Sequence, residues 1–262
     1  MKLYIKIALF SALYFSLAGS PMAQESQTGW SAADAIYGAD EMAQVRNAQQ
    51  KDINLSFFQA DRLEYRSSSQ GNSMLWDMDA WYGSQTRKLW IKTEGHYDLD
   101  NDKFEEAEIT ALYSKAISPY FDLQAGIRHD ITPNPSQTYA VLGLQGLAPY
   151  WFEVTSYAYL SDNGDLSARI ELEYELLLSQ RLVLQPRAEL EASFQNIPQH
   201  NISSGFTNIN YGLRLRYEFK REFAPYVGVS WDNALSKTAT LLRLDGEETK
   251  NTSFVAGIRF WF

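Results

Sequence analysis

The chain has no cysteine and only three histidines. Disulfides are excluded, and so is any metal site built on thiolates. No apolar run beyond the N-terminal stretch approaches the ~18 residues that a membrane-spanning helix requires. With a mean hydropathy of -0.34, a helical membrane bundle is excluded too. Positive charge is the scarcer sign: 23 Lys and Arg against 32 Asp and Glu give a formal charge of -9. Nucleic acid is therefore not expected as a partner. Also missing are G-x-S-x-G, H-E-x-x-H and a phosphate loop, so the chain is not expected to be an enzyme.

Aromatic residues, by contrast, are plentiful for so polar a chain: 16 Tyr, 14 Phe and 7 Trp. The first residues explain a little of this. Lys2 and Lys6 precede the apolar run "IALFSALYFSLAG", and small residues follow. That order is expected of a secretory signal peptide over 1–23, with the mature chain starting at Gln24. Residues 24–55 are polar and rich in Ala and Gln, which predicts a flexible or weakly helical arm in which Asp40 caps a short helix.

From Ser56 onward the hydrophobic period becomes two. In "KLWIKTEGHY", Leu89, Ile91 and Thr93 alternate with Lys88, Trp90, Lys92, Glu94 and His96. In "DLSARIELEYELLL", Leu166, Ala168, Ile170, Leu172, Tyr174 and Leu176 alternate with Ser167, Arg169, Glu171, Glu173 and Glu175. Such alternation is the signal of a strand with two unlike faces. Twelve segments follow the rule: 56–66, 73–82, 87–97, 104–117, 120–131, 137–147, 151–160, 165–178, 181–195, 206–219, 223–233 and 251–262. Several are ten residues or longer, the length of a tilted strand crossing a bilayer, ~9–11 residues. An even number of long strands predicts an all-β, transmembrane, antiparallel up-and-down barrel occupying 56–262.

The connections are expected to alternate. Those after even-numbered segments are short ("YGSQT", "SP", "LAPY", "SQ", "KRE"), and those after odd-numbered ones are longer or more polar. This matches short periplasmic turns and longer outer loops in a bacterial outer membrane. Tyr82, Tyr120, Phe121, Tyr150, Trp151, Phe152, Phe223 and Tyr226 gather at the short-turn end, as an interfacial girdle would. The closing "SFVAGIRFWF" offers Phe254, Ala256, Ile258, Phe260 and Phe262 to lipid.

"DRLEYR", "LWDMDAWYG", "LYSKAISPYFDLQAGIRHD", "YELLLSQRLVLQPRAELE", "GLRLRYEFKREFAPYVGVSW" and "TSFVAGIRFWF" resemble the copper-resistance protein B family of bacterial outer membranes. The resemblance covers roughly residues 30–262. It implies a barrel that binds copper, Cu(I) or Cu(II), or moves it across the outer membrane. Copper ions, membrane lipid and a periplasmic copper-resistance protein are the partners it implies. Members often carry Met- and His-rich repeats ahead of the barrel. Here that stretch holds only Met42 and no His, which leaves the barrel to carry the chemistry.

Within the barrel, pairing of the third and fourth segments sets Glu94 opposite Glu108 and His96 opposite Glu106. Asp77 and Asp79 share the inner face, with Lys92 expected as the partner of Asp77. Asp77, Glu94, His96, Glu106 and Glu108 are therefore the candidate ligands of a divalent cation. The same residues would also suit a polar lumen with no metal role. Arg169, Glu171, Glu173, Arg187, Glu189, Glu191, Arg214, Arg216 and Glu218 are expected to form a bridged ladder. Met74 and Met78 suit Cu(I), but parity turns them to lipid. His96, His129 and His200 all fall toward the outer side. A general cation or small-solute pore, or a structural barrel, is the competing reading.

Overall fold

The computed structural model describes residues 34–49, 53–132, 136–197, 202–246 and 248–262. The expected signal peptide, the start of the arm and His200 lie outside the described residues. The chain forms two units, 1–51 and 52–262. In the first, residues 34–37 and α1 (Ala39–Gln49) are helical. Gly38 stands between them at φ 89, a conformation in which a Cβ would be strained. Asp40 does not cap a helix. It lies in the first turn of α1 with Glu41, where a carboxylate favours the N-terminal end of the helix dipole.

The second unit is a closed antiparallel barrel. Its strands are β1 (Leu55–Ser68), β2 (Gly71–Gly83), β3 (Arg87–Asp98), β4 (Lys103–Ala116), β5 (Phe121–Thr132) and β6 (Gln137–Ala148). They continue with β7 (Phe152–Ser161), β8 (Leu166–Glu173), β9 (Leu182–Ser193), β10 (Gly205–Tyr217), β11 (Phe223–Ala234) and β12 (Lys250–Trp261). After a break at Tyr174 and Glu175, β8 resumes as Leu176–Leu177, which still pairs with β9. Each strand pairs with the next, and β12 returns to pair with β1. At that seam Phe58 and Phe262 exchange backbone hydrogen bonds of 3.0 Å in both directions. Closure leaves no open edge in the membrane.

The alternation has the expected sense. On β4 and β5, Ile109, Tyr113 and Ile127 are exposed, whereas Leu112, Ser114 and Gln124 are buried. The apolar set thus faces outward, and the interior is filled by polar and aromatic side chains. One wall carries an aromatic cluster of Leu112, Val141, Tyr157 and Tyr159, with Trp90 and Tyr139 against it. Gly143 makes room for it: a Cβ there would come within 2.3 Å of the Tyr157 ring.

The longer connections do lie at one end, but two of them carry nearly all the difference, 194–204 and 235–249. The first hairpin turns at 69–70 alone, because the polar residues of "SSSQGNS" continue β1 and β2 beyond the apolar band. The last connection contains α2 (Ser236–Leu244), whose Thr238 and Ala239 are buried and whose Thr238 Oγ1 accepts the Ser203 amide at 3.1 Å. At the turn end, Tyr82, Tyr120, Tyr150, Trp151, Phe152 and Phe223 are exposed as expected. Phe121 is half-buried, and Tyr226 turns inward. It shares the inner face with Ala224, is buried, and its hydroxyl donates to Glu64 at 3.1 Å.

Candidate functional site

Strand register sets a row of carboxylates across three neighbouring strands. Asp77 of β2 pairs with Glu94 of β3, and Glu94 pairs with Glu108 of β4. His96 pairs with Glu106, as expected from the hairpin. The side chains then make their own choices. The His96 Nδ1 lies 2.7 Å from Glu105, not Glu106, and its Nε2 lies 2.7 Å from the Ser73 hydroxyl. The register shift after His96 brings Glu105 within reach. Among the described residues, Glu106 has no hydrogen-bond or ion-pair partner. Lys92 stands against Asp79, one rung from the expected Asp77, because the β2–β3 turn closes at 84–86. Its ammonium donates to Gln145 at 3.1 Å and to the Tyr157 hydroxyl at 3.0 Å.

Arginines satisfy the row. Asp77 accepts Arg62 of β1 at 2.8 Å and lies 3.6 Å from Arg187 of β9. Glu94 accepts Arg62 at 2.7 Å and Arg169 of β8 at 3.3 Å. Strands β8 and β9 stand about half the ring away from β2 and β3. The chain Arg187–Asp77–Arg62–Glu94–Arg169 is therefore a bar across the lumen. Glu108 joins it through Arg128 at 2.6 Å and Arg169 at 3.8 Å. Arg128 is in turn held over the rings of Tyr139 and Tyr159, at 5.4 and 5.0 Å.

The expected ladder over β8, β9 and β10 exists only in part. Arg169 meets Glu191 at 2.9 Å and Glu189 at 3.4 Å, and Arg187 donates to Glu171. Arg214 leaves the ladder and braces another wall, whereas Arg216 keeps Glu218 at 3.3 Å. Arg214 reaches Glu64 of β1 at 2.5 Å, and Arg216 reaches Glu175 at 2.7 Å, which Arg259 of β12 also meets at 2.7 Å. Arg62, Glu64, Arg128 and Arg259 are central members that the candidate set omits. Their signal was the inward parity of "DRLEYR", "GIRHD" and, for Arg259, "GIRFWF". Asp61, the extra residue of a bulge in β1, pairs with Arg259 at 2.9 Å.

Around the bar lies a cavity of about 140 Å³. Asp79 and Glu153 line it without an ion-pair partner among the described residues, beside Glu173 and Arg187. The buried Arg187 Nε and Nη1 atoms have no hydrogen-bond acceptor. Among the described residues, no three His, Asp or Glu are arranged to hold a metal ion. Met74 is exposed on the outer face, and the exposed His129 bonds Thr138 at 2.9 Å. The interior is thus a carboxylate-rich lumen crossed by tethered guanidinium ions.

Residues 54–262, the whole barrel, match the family described as Copper resistance protein B precursor. The chain belongs to the copper resistance protein B family. It is 40% identical over 228 residues to the copper resistance protein B homolog of Pseudomonas syringae pv. tomato, covering 87% of this chain and 76% of the relative. It is 37% identical over 246 residues to copper resistance protein B of Escherichia coli, covering 92% and 81%. In fold it is similar to the NanC porin (TM-score 0.51, 11% identity) and the KdgM porin (TM-score 0.50, 12% identity). Each likeness covers 79% of this chain and 99% of the porin. The barrel of this copper resistance family member is thus of the kind that outer-membrane porins use.

Proposed function

We propose that the chain is a non-enzymatic barrel of the bacterial outer membrane that takes copper ions into its lumen, and so binds or passes them. The observation that carries this reading is the row Asp77, Glu94 and Glu108 on three adjacent strands, extended by His96 and Glu106 toward the loop end. Family membership supplies the metal, and the row supplies oxygen and imidazole donors inside a membrane-spanning wall. Those donors suit Cu(II) better than Cu(I). Soft thioethers are absent from the interior: the five methionines are Met1, Met22, Met42, Met74 and Met78, and none has lumen parity in the barrel. The turn end then faces the periplasm, where a copper-resistance protein is the candidate partner, and the outer face meets lipid.

The test is copper tolerance of a deletion strain carrying either wild type or a Glu94→Ala, His96→Ala, Glu106→Ala, Glu108→Ala variant. Wild type should restore tolerance and the variant should not, at equal amounts of folded protein in the outer membrane. Equal tolerance would remove the row from the function, and a deletion without phenotype would remove copper.

A further inference from the structure

We infer that Arg169 is the latch of a closed lumen, a tethered cation that keeps ions from passing until it is displaced. The proposal deepens the reading above and rests on it only for the identity of the travelling ion.

Three observations converge on this residue. First, Arg169 joins opposite walls. It stands on β8, and its guanidinium meets Glu94 and Glu108 on β3 and β4, at 3.3 and 3.8 Å, as well as Glu191 and Glu189 on β9. Four carboxylates therefore share one cation. Second, its grip is uneven. Its shortest contact is to its own side of the barrel, 2.9 Å to Glu191, against 3.3 Å to Glu94 and 3.8 Å to Glu108 across the lumen. A small swing toward β9 breaks the cross-lumen pair while leaving a charge-assisted hydrogen bond intact. Third, it is the looser end of the bar. Its side chain keeps 19% of its exposure, against 5% for Arg62 and 3% for Arg187. Arg62 and Arg187 are packed in; Arg187 also borders the cavity, but Arg169 does so with the more accessible side chain.

The chemistry follows. A guanidinium among four carboxylates, together with Arg62 on Glu94 and Arg128 on Glu108, offsets part of their charge against small cations and occupies the space they enclose. A cation arriving from the loop end competes with Arg169 for Glu94 and Glu108. When it wins, Arg169 remains on Glu189 and Glu191, and the cation has entered. When Arg169 is removed, an acidic constriction is left, which favours cations over anions.

Full-length protein, folded in detergent and placed in planar bilayers under a KCl gradient, tests this without copper. Wild type should show no steady current. Arg169→Gln should give a steady current with a reversal potential displaced toward that of K⁺. Arg169→Lys retains a tethered cation and should stay nearly silent. A steady wild-type current equal to that of Arg169→Gln overturns the proposal, as does silence of a folded Arg169→Gln barrel, folding being read from its migration before and after boiling. Should Arg169→Gln not fold, Glu94→Gln with Glu108→Gln releases the same latch from the opposite wall. It should also conduct, with a smaller displacement toward K⁺, and silence of that folded variant overturns the proposal. Copper tolerance of the Arg169→Gln strain is a separate readout. Unchanged tolerance beside an opened pore would count against copper and leave the latch standing.

Discussion

Buried ions dominate the chemistry of single residues here. Glu64 has no exposed surface, yet accepts Arg214 at 2.5 Å, Arg66 at 3.1 Å and the Tyr226 hydroxyl at 3.1 Å. A carboxylate out of water is tolerated only while its partners stay. Arg214→Met should therefore cost about 3–5 kcal/mol, since it takes the nearer of two guanidinium partners from a buried carboxylate and leaves the charge in place. Tyr226→Phe deletes one hydrogen bond to the same carboxylate and should cost about 1.5–3 kcal/mol. Urea unfolding in lipid, followed by tryptophan emission, checks both, and the ordering of the two variants is the sharper result. That Tyr226 belongs to this cluster and not to the girdle was hidden in the sequence. An aromatic ring near a turn suits either face, and only its parity with Ala224 separates them.

At the scale of the strand, a shift of one residue reverses the solvent. Ile127 is exposed on the outer face in the middle of β5, and Arg128 beside it is paired with Glu108 and Asp130 inside. Ile127→Arg should thus destabilise the folded barrel by about 2–4 kcal/mol, as a charge at the bilayer midplane does. Refolding into lipid vesicles at increasing urea would measure it. Parity is also why the strands were readable at all. Each apolar face was legible because lipid asks for the same residue types along its whole length. Strand ends were less legible, since polar residues past the apolar band, such as Ser67 and Ser68, look like loop but still pair. Side-chain partners were legible only within a hairpin. Glu94 against Glu108 follows from one turn, whereas Arg169 against Glu94 depends on closure of the ring, and Lys92 against Asp79 depends on where the β2–β3 turn closes.

For the whole molecule, residues 52–262 form a unit of their own. A chain lacking residues 24–52 but keeping its export signal should fold to the same barrel, with an unfolding midpoint unchanged. Since the missing stretch holds a single Met and no His, copper titration of the two purified forms should give the same stoichiometry. Loss of binding in the shorter form would move the metal from the lumen to the arm. The seam between β1 and β12 has a further consequence, for the order of events. Gln59 and Trp261 are neighbours in the ring although nearly all of the barrel sequence separates them. The ring cannot shut until the final strand is available, so closure carries the largest loop entropy in the fold and comes late. Yet the two ends meet side by side, and nothing in the geometry privileges that cut. A circular permutant that links Phe262 to Leu55 and opens at 149–151 would place the seam between β6 and β7, and would convert the pairing most distant in the native sequence into a local hairpin.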